Sequence, residues 1–347
     1  MDIAQVVEKL KAYNGTPLKI MEVCGTHTAA IFKNGIRSLI SPKIKLISGP
    51  GCPVCVTPAA YIDKCLNYAL MPDHVVYSFG DMLKVCGTKE SLADVKGQGG
   101  QVRMIYSPLE VIEAAKARPE VTHILAAVGF ETTAPLYGLV VKEAAQQNLT
   151  NIKLLTALKT IMPALDWLCG NQADINGFIC PGHVTVITGL APYKALAQKY
   201  QKPFVTAGFE AEHILTAIYR IIWQIENKKP WAENLYPAAV RDYGNAAARQ
   251  IIADYFSLGD GLWRGLGLLK ASAYYLKGAY APYDAGSTLL TDDPLPKACR
   301  CAQVITGQIN PPACPLFVGV CNPGHPVGPC MVSAEGACGI WYQNRGV

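Results

Sequence analysis

The sequence predicts an α/β protein in three parts: two similar domains with mainly parallel sheets, facing each other, and a cysteine-rich C-terminal domain ordered around a metal centre. Short apolar runs alternate with helical patterns over the first two thirds of the chain, the texture of βα units. Several of those runs end in glycine-bearing loops, and one such loop, Gly-Phe-Glu, occurs twice, at Gly129 and at Gly208. Six of the thirteen cysteines lie between Cys299 and Cys338. A chain of 347 residues also exceeds the roughly 250–300 at which a single core stops growing, so more than one domain is expected.

Taken in order, the stretch after Met1 carries Asp2, Glu8, Lys9 and Lys11 in an amphipathic helical pattern. The first domain, 1–115, has candidate strands at Leu18 to Val23, Ile44 to Ile47, His74 to Phe79 and Val102 to Tyr106. The second, 116–225, has them at His123 to Val128, Ile152 to Thr156, Gly177 to Ile179 and Pro203 to Ala207. The weakly charged stretch from Val121 to Val141 contains His123, Glu131 and Pro135 and reads as strand, loop and helix, not as a membrane span. From about Glu226 the texture changes to Lys-Lys-Pro, a helical stretch from Asn245 to Tyr255, and the glycine-rich Trp263 to Gly267. The rest of this third domain, 226–347, has few regularly spaced apolar residues, so a metal centre is expected to supply much of its order.

Composition excludes several functions. Half of the residues are apolar and only 16% are charged, which describes a globular chain and not a disordered one. The formal charge of +5 includes no block of like charges, so no nucleic-acid partner is expected. The first residues lack the apolar core and cleavage site of a secretion signal, and a cytoplasmic protein is expected. Thiols stay reduced there, so the cysteines point to metal binding or redox chemistry, not to a framework of structural disulfides.

Ligands of open α/β sheets bind beyond the carboxyl ends of the strands, so the loops there carry the candidate chemistry. The segment from Glu22 to Thr28 puts Cys24 and His27 at the mouth of the first strand, able to act on one metal or to pass the thiol proton to the imidazole. Two packing residues are the bland alternative. After the second strand, Gly49 to Cys55 reads GPGCPVC, where Cys52 and Cys55 bracket a proline at a strand-to-helix turn suited to a reversible disulfide. Half of a zinc site competes with that reading. After the fifth strand, Gly129 to Thr133 places Glu131 and two hydroxyls where they can bind a small polar ligand, hold the facing cysteine loop, or cap a helix N-terminus. His183, in the motif Pro181 to Val184, is either an acid-base group or a satisfied buried imidazole, the second being slightly favoured.

In the C-terminal part, Cys299, Cys301, Cys314, Cys321, Cys330 and Cys338 are interleaved with glycine and proline turns. Four thiolates hold a cubane iron-sulfur cluster, and such turns leave backbone amides free to hydrogen-bond the sulfurs. Zinc is the alternative, although C-x2-C knuckles are absent from this region. Cys65, Cys86, Cys169 and, less clearly, Cys180 read as buried packing thiols. The sequence has no G-x4-G-K-[ST] nucleotide loop, no C-x3-C-x2-C trio and no G-x-S-x-G elbow.

In unbroken order from Met21 to the last cysteine, the segments MEVCGTHT, SGPGCPVC, SFGDMLKV, YSPLE, VGFETTAP, CPGHV, AGFE, WRGLG, CRC, CPLF and PVGPCMVSAEGAC resemble the HypD family of hydrogenase maturation factors. The resemblance implies two α/β domains around a cleft and a C-terminal domain holding a [4Fe-4S] cluster. It implies an iron-sulfur redox scaffold that, with a HypC-type small chaperone, holds Fe(II) while cyanide and carbonyl ligands are added to form the Fe(CN)2CO unit of a [NiFe] hydrogenase. Cyanide would come from HypE, loaded by HypF, and the hydrogenase large-subunit precursor would be served indirectly. By the same resemblance Cys24 binds the iron of the nascent cofactor with His27 beside it, and Cys52 and Cys55 are the redox-active pair. Together with Glu131 these form the candidate catalytic set. The family spacing C-x14-C-x6-C-x16-C falls on Cys299, Cys314, Cys321 and Cys338, leaving Cys301 and Cys330 spare. The thiol surplus is similar to that of ferredoxin-thioredoxin reductases, where a cluster adjoins a disulfide.

Three positions depart from the family pattern. Ala29 stands where many members carry a second histidine, Cys86 where proline is common, and Gly286 in place of an acidic residue. None touches a thiol named above. A different function class, a stand-alone thiol-disulfide reductase, needs a cluster and the Cys52 and Cys55 pair but neither Cys24 nor a protein partner. A zinc-stabilised binding module needs no redox chemistry at all.

Overall fold

All eight apolar runs singled out in the sequence form strands in the computed structural model, which describes residues 2–288, 290 and 298–345. They are β1 (Leu18–Glu22), β2 (Ile44–Ser48), β3 (His74–Ser78), β4 (Val102–Met104), β5 (Thr122–Gly129), β6 (Ile152–Lys159), β7 (Gly177–Pro181) and β8 (Phe204–Ala207). Three further strands follow: β9 (Ala232–Asn234), β10 (Phe256–Trp263) and β11 (Gly267–Leu276). The amphipathic start is the helix Ile3–Ala12, and the stretch from Val121 to Val141 is β5, a loop and the helix Ala134–Gln146.

The strands make two mainly parallel sheets, but not by the division at residue 115. One sheet has the order β2-β1-β7-β8-β9 and the other β10-β11-β6-β5-β3-β4. The sequence grouping of β1 to β4 in one domain and β5 to β8 in the next is therefore corrected: β3 and β4 pair with β5 and β6, while β7 and β8 return to β1. Parallel neighbours are joined through crossovers, so chain order does not fix pairing order. Among the strand pairs of the described residues, only the β10-β11 hairpin and its junction with β6 are antiparallel.

Both faces of each sheet are covered, which is why the strands read as near-continuous apolar runs. In β5, Ile124, Ala126 and Val128 face a core shared with Met21, Val23, Phe178 and Phe204 of the other sheet. Leu125 and Ala127 face the opposite way, toward Tyr137, Val140 and Val141 of the helix Ala134–Gln146. On the far side of the other sheet, Ile20, Leu46 and Ile179 pack against Ile214, Ile218 and Ile221 of the helix Ala211–Glu226.

The cysteine-rich C-terminal region has only short helices, among them Cys301–Ile305, Pro329–Val332 and Ala337–Gln343. Its buried residues Val304, Ile305, Met331 and Ala337 join the core between the sheets, with no core of their own. Among the described residues no helix is long and apolar enough to cross a membrane.

Candidate functional site

The carboxyl ends of β1, β2, β5, β6 and β7 open onto one cleft of about 200 Å³. Its walls are apolar, from Val23, Pro53, Phe130, Ile161 and Val184, and its polar groups include Cys24, Thr132, Thr133, His183 and Glu335. Such a site excludes water from most of its surface while leaving a few polar atoms to fix a ligand.

Cys24 lies two residues beyond the first strand and caps the start of the helix Gly25–Lys33. Two glycines bring neighbouring chains against it. A Cβ at Gly51 would come within 2.4 Å of the Val23 carbonyl oxygen, and one at Gly25 within 2.3 Å of the Glu335 carbonyl oxygen. Only glycine allows either approach. Burial pushes the Cys24 thiol up to about 11, outweighing the hydrogen bonds from Thr26 and the His27 backbone that favour its thiolate. The Cys24 backbone N–H donates to Glu22 Oε2 at 3.2 Å, and Thr28 Oγ1 donates to the other oxygen. Burial raises the Glu22 carboxyl to about 7.

The His27 ring reaches toward the second Gly-Phe-Glu loop. Its Nε2 donates to the Gly208 carbonyl at 3.1 Å, and the ring lies 4.8 Å from Phe209, in the second Gly-Phe-Glu loop. Burial lowers this imidazole to about 4, so it is neutral. His183 stacks on the same Phe209 at 4.1 Å and is exposed at the cleft, which corrects the favoured reading of a buried imidazole.

Cys52 and Cys55 are joined by a disulfide, with their Cα atoms 5.3 Å apart. Cys52 caps the short helix Pro53–Val56, as its sulfur accepts from the Cys55 N–H at 3.2 Å. The WRGLG segment braces this helix: the Arg264 backbone N–H donates to the Val56 carbonyl at 2.9 Å and its Nε to the Thr57 carbonyl at 2.8 Å.

Glu131 caps a helix. Its Oε1 accepts from Thr160 Oγ1 at 2.6 Å and from the Ile161 N–H at 2.9 Å, at the start of the helix Ile161–Asn171. It is not among the residues lining the cleft, where its neighbours Phe130, Thr132 and Thr133 are. Glu131→Ala is therefore expected to cost about 1–3 kcal/mol, the range for stranding buried donors. A lower urea midpoint at unchanged slope checks this, and an unchanged midpoint would contradict the capping role.

The six C-terminal thiols lie close to one another. Cys301 Sγ lies 2.6 Å from Cys330 Sγ. Burial pushes Cys299 up to about 12, with Cys301, Cys314 and Cys321 adding like charge. Cys321 is raised by burial and by Cys338 and Cys314. A cation beside Cys299 and Cys321 would offset this cost of ionising them, which is what cluster iron supplies. The Val327 N–H also donates to Cys321 Sγ at 3.3 Å, as amides do around iron-sulfur centres. Among the described residues no three or more His, Cys, Asp or Glu side chains converge on a single-ion site. A cubane takes each thiolate on a different iron, so its ligands stand apart, and this donor set fits one.

This region touches both chemistry loops. The helix Pro329–Val332, with Cys330, packs on the disulfide helix Pro53–Val56. The helix Ala337–Gln343, with Cys338, packs on the helix Gly25–Lys33, where Trp341 meets Phe32 at 4.8 Å and Arg37 lies over both rings. Sequence reasoning did not select Glu335 or Glu22, although both lie within motifs it quoted. Cys65, Cys169 and Cys180 are buried as expected, whereas Cys86 is only half-buried.

A family model named HypD, described as "Hydrogenase formation hypA family", matches residues 1–345. The chain is similar to the hydrogenase maturation factor HypD of Rhodobacter capsulatus, 36% identical over 99% of this chain and 94% of that protein. It is 39% identical to the HypD of Escherichia coli (strain K12), covering 95% of this chain and 90% of that one. A putative hydrogenase expression/formation protein of Methanocaldococcus jannaschii is 38% identical over 94% of this chain and 92% of its own length.

Proposed function

Since the chain belongs to the HypD family of hydrogenase maturation factors, we propose that it is a cytoplasmic iron-sulfur redox scaffold for assembling the Fe(CN)2CO unit of a [NiFe] hydrogenase. With a HypC-type small chaperone it holds Fe(II) while cyanide, delivered by HypE after loading by HypF, and carbonyl are added. The product passes on toward the hydrogenase large-subunit precursor. The observation that carries this reading is the meeting of Cys24, the Cys52 and Cys55 loop and Glu335 of the cysteine-rich region at one cleft.

Cys24 takes the ferrous ion as its thiolate, releasing one proton for which Glu335 stands in the same cleft as an acceptor. The apolar walls keep bulk water from the iron. Cys52 and Cys55 exchange two electrons and two protons as the disulfide opens and closes. Cys299, Cys314, Cys321 and Cys338 would hold a [4Fe-4S] cluster, whose chemistry when bound is one-electron transfer. That assignment rests on the family spacing, while Cys330 lies against both Cys301 and Cys338.

Anaerobic co-purification with the small chaperone tests the reading. Infrared bands of cyanide and carbonyl are expected in the complex, and differential alkylation across a redox titration is expected to find Cys52 and Cys55 in both states. A complex without those bands, purified from cells that are maturing hydrogenase, would refute the scaffold. A pair that stays in one state throughout would refute its redox role.

A further inference from the structure

We propose that Asp81 is a positioning residue for the mouth of the cleft, holding the turn 333–336 so that Glu335 and Gly25 meet beside Cys24. This rests on the reading of Cys24 as the working thiol. Asp81 follows β3 in the FGD loop, on the sheet that does not contain β1. Its Oδ2 accepts from Ser333 Oγ at 3.0 Å and from the Ala334 N–H at 3.3 Å. Ser333 is buried, and its Oγ in turn accepts from the Glu335 N–H at 3.1 Å. Glu335 then lies directly over Gly25, and its carboxylate is 3.5 Å from Thr26 Oγ1. One carboxylate thus links the six-stranded sheet, the cysteine-rich region and the loop that carries Cys24.

The geometry assigns this linkage a local effect. Asp81 is itself exposed, and hydrogen bonds to exposed groups add little to global stability. What they set is how often the turn lifts from Gly25, and so how often Cys24, now 7% exposed, is uncovered. Both bonds fall on one oxygen, which the side-chain carbonyl of asparagine can replace.

The test uses the full chain, purified anaerobically, and the rate at which iodoacetamide alkylates Cys24, followed by mass spectrometry. Asp81→Ala and Ser333→Ala, each of which removes two hydrogen bonds of the turn, are each expected to raise that rate at least about tenfold through the local opening equilibrium, with the melting temperature nearly unchanged. Asp81→Asn is expected to stay within about twofold of the parent, because it keeps the acceptor. An unchanged rate in both alanine variants, or an asparagine variant as reactive as alanine, overturns the assignment. Alkylation is read without the nascent iron unit. The expected rates in a chain whose complex shows no cyanide or carbonyl bands would therefore uphold Asp81 and defeat the scaffold.

Discussion

Replacing Cys24 by Ala is expected to stop hydrogenase maturation in cells and to abolish the cyanide and carbonyl infrared bands of the complex with the small chaperone. The same variant should keep its fold and its iron-sulfur absorption. Losing one sulfur from a mostly buried site costs on the order of 1 kcal/mol, well within the stability of a chain of this size. The effect on iron is far larger. Outer-shell groups alone change metal affinity by about 10–100-fold, so loss of a direct thiolate ligand should exceed that. The variant also separates the two redox functions. A stand-alone reductase working through Cys52 and Cys55 tolerates Cys24→Ala, since the disulfide and the thiols behind it do not use that sulfur. Normal maturation in a Cys24→Ala strain would defeat the scaffold mechanism even with the cluster and the disulfide both confirmed.

Cys314→Ala and Cys321→Ala are each expected to remove the broad iron-sulfur absorption and the bound iron and sulfide, and to loosen the C-terminal region. That region is built from helices of no more than seven residues and borrows its core from the space between the sheets. Short helices of this kind do not hold themselves, so cluster binding is folding energy for them. The loss should then spread. The helix with Cys338 packs on the helix that Cys24 opens, and the helix with Cys330 packs on the disulfide helix. Protection of the amides of Gly25–Lys33 against hydrogen exchange should fall in both variants. Unchanged iron and sulfide contents in both would reject the cluster assignment.

Much of the fold was legible because buried parallel strands write themselves as apolar runs ending in glycine loops, and all eight such runs are strands. The β10-β11 hairpin was not. Gly259, Gly261, Gly265 and Gly267 interrupt its alternation, and a register shift falls between Gly259 and Gly261, so it read as glycine-rich texture. β9 is three residues long and offers no periodicity. Sheet membership was illegible for a different reason: β7 fits between β1 and β8 through packing that no local pattern records. The candidate site divides the same way. The loops bearing Cys24, Cys52 and Cys55 were found from their chemistry and position, and they do adjoin one cleft. Glu131 was also found, but its partner is the start of another helix, Ile161–Asn171, which its own loop does not announce. The Cys301 and Cys330 contact depends on two short helices whose docking only the folded chain reveals.

The interleaving of the two sheets bears on how the protein is made. β1 and β2 leave the ribosome first, but β1 is flanked on its other side by β7, and Glu22 finds its partner Ile179 only after the whole of β3 to β6 has been synthesised. At ~5–20 residues per second that wait is on the order of ten seconds. Until it ends, the loop carrying Cys24 has one wall, and its thiol stands in solvent instead of at the base of a cleft. In a nascent chain the proposed iron position is therefore not yet assembled. If the proposed role holds, the capacity to take up the metal arrives late and all at once, after β7 has closed the central position of its sheet and the last helices have come down over it.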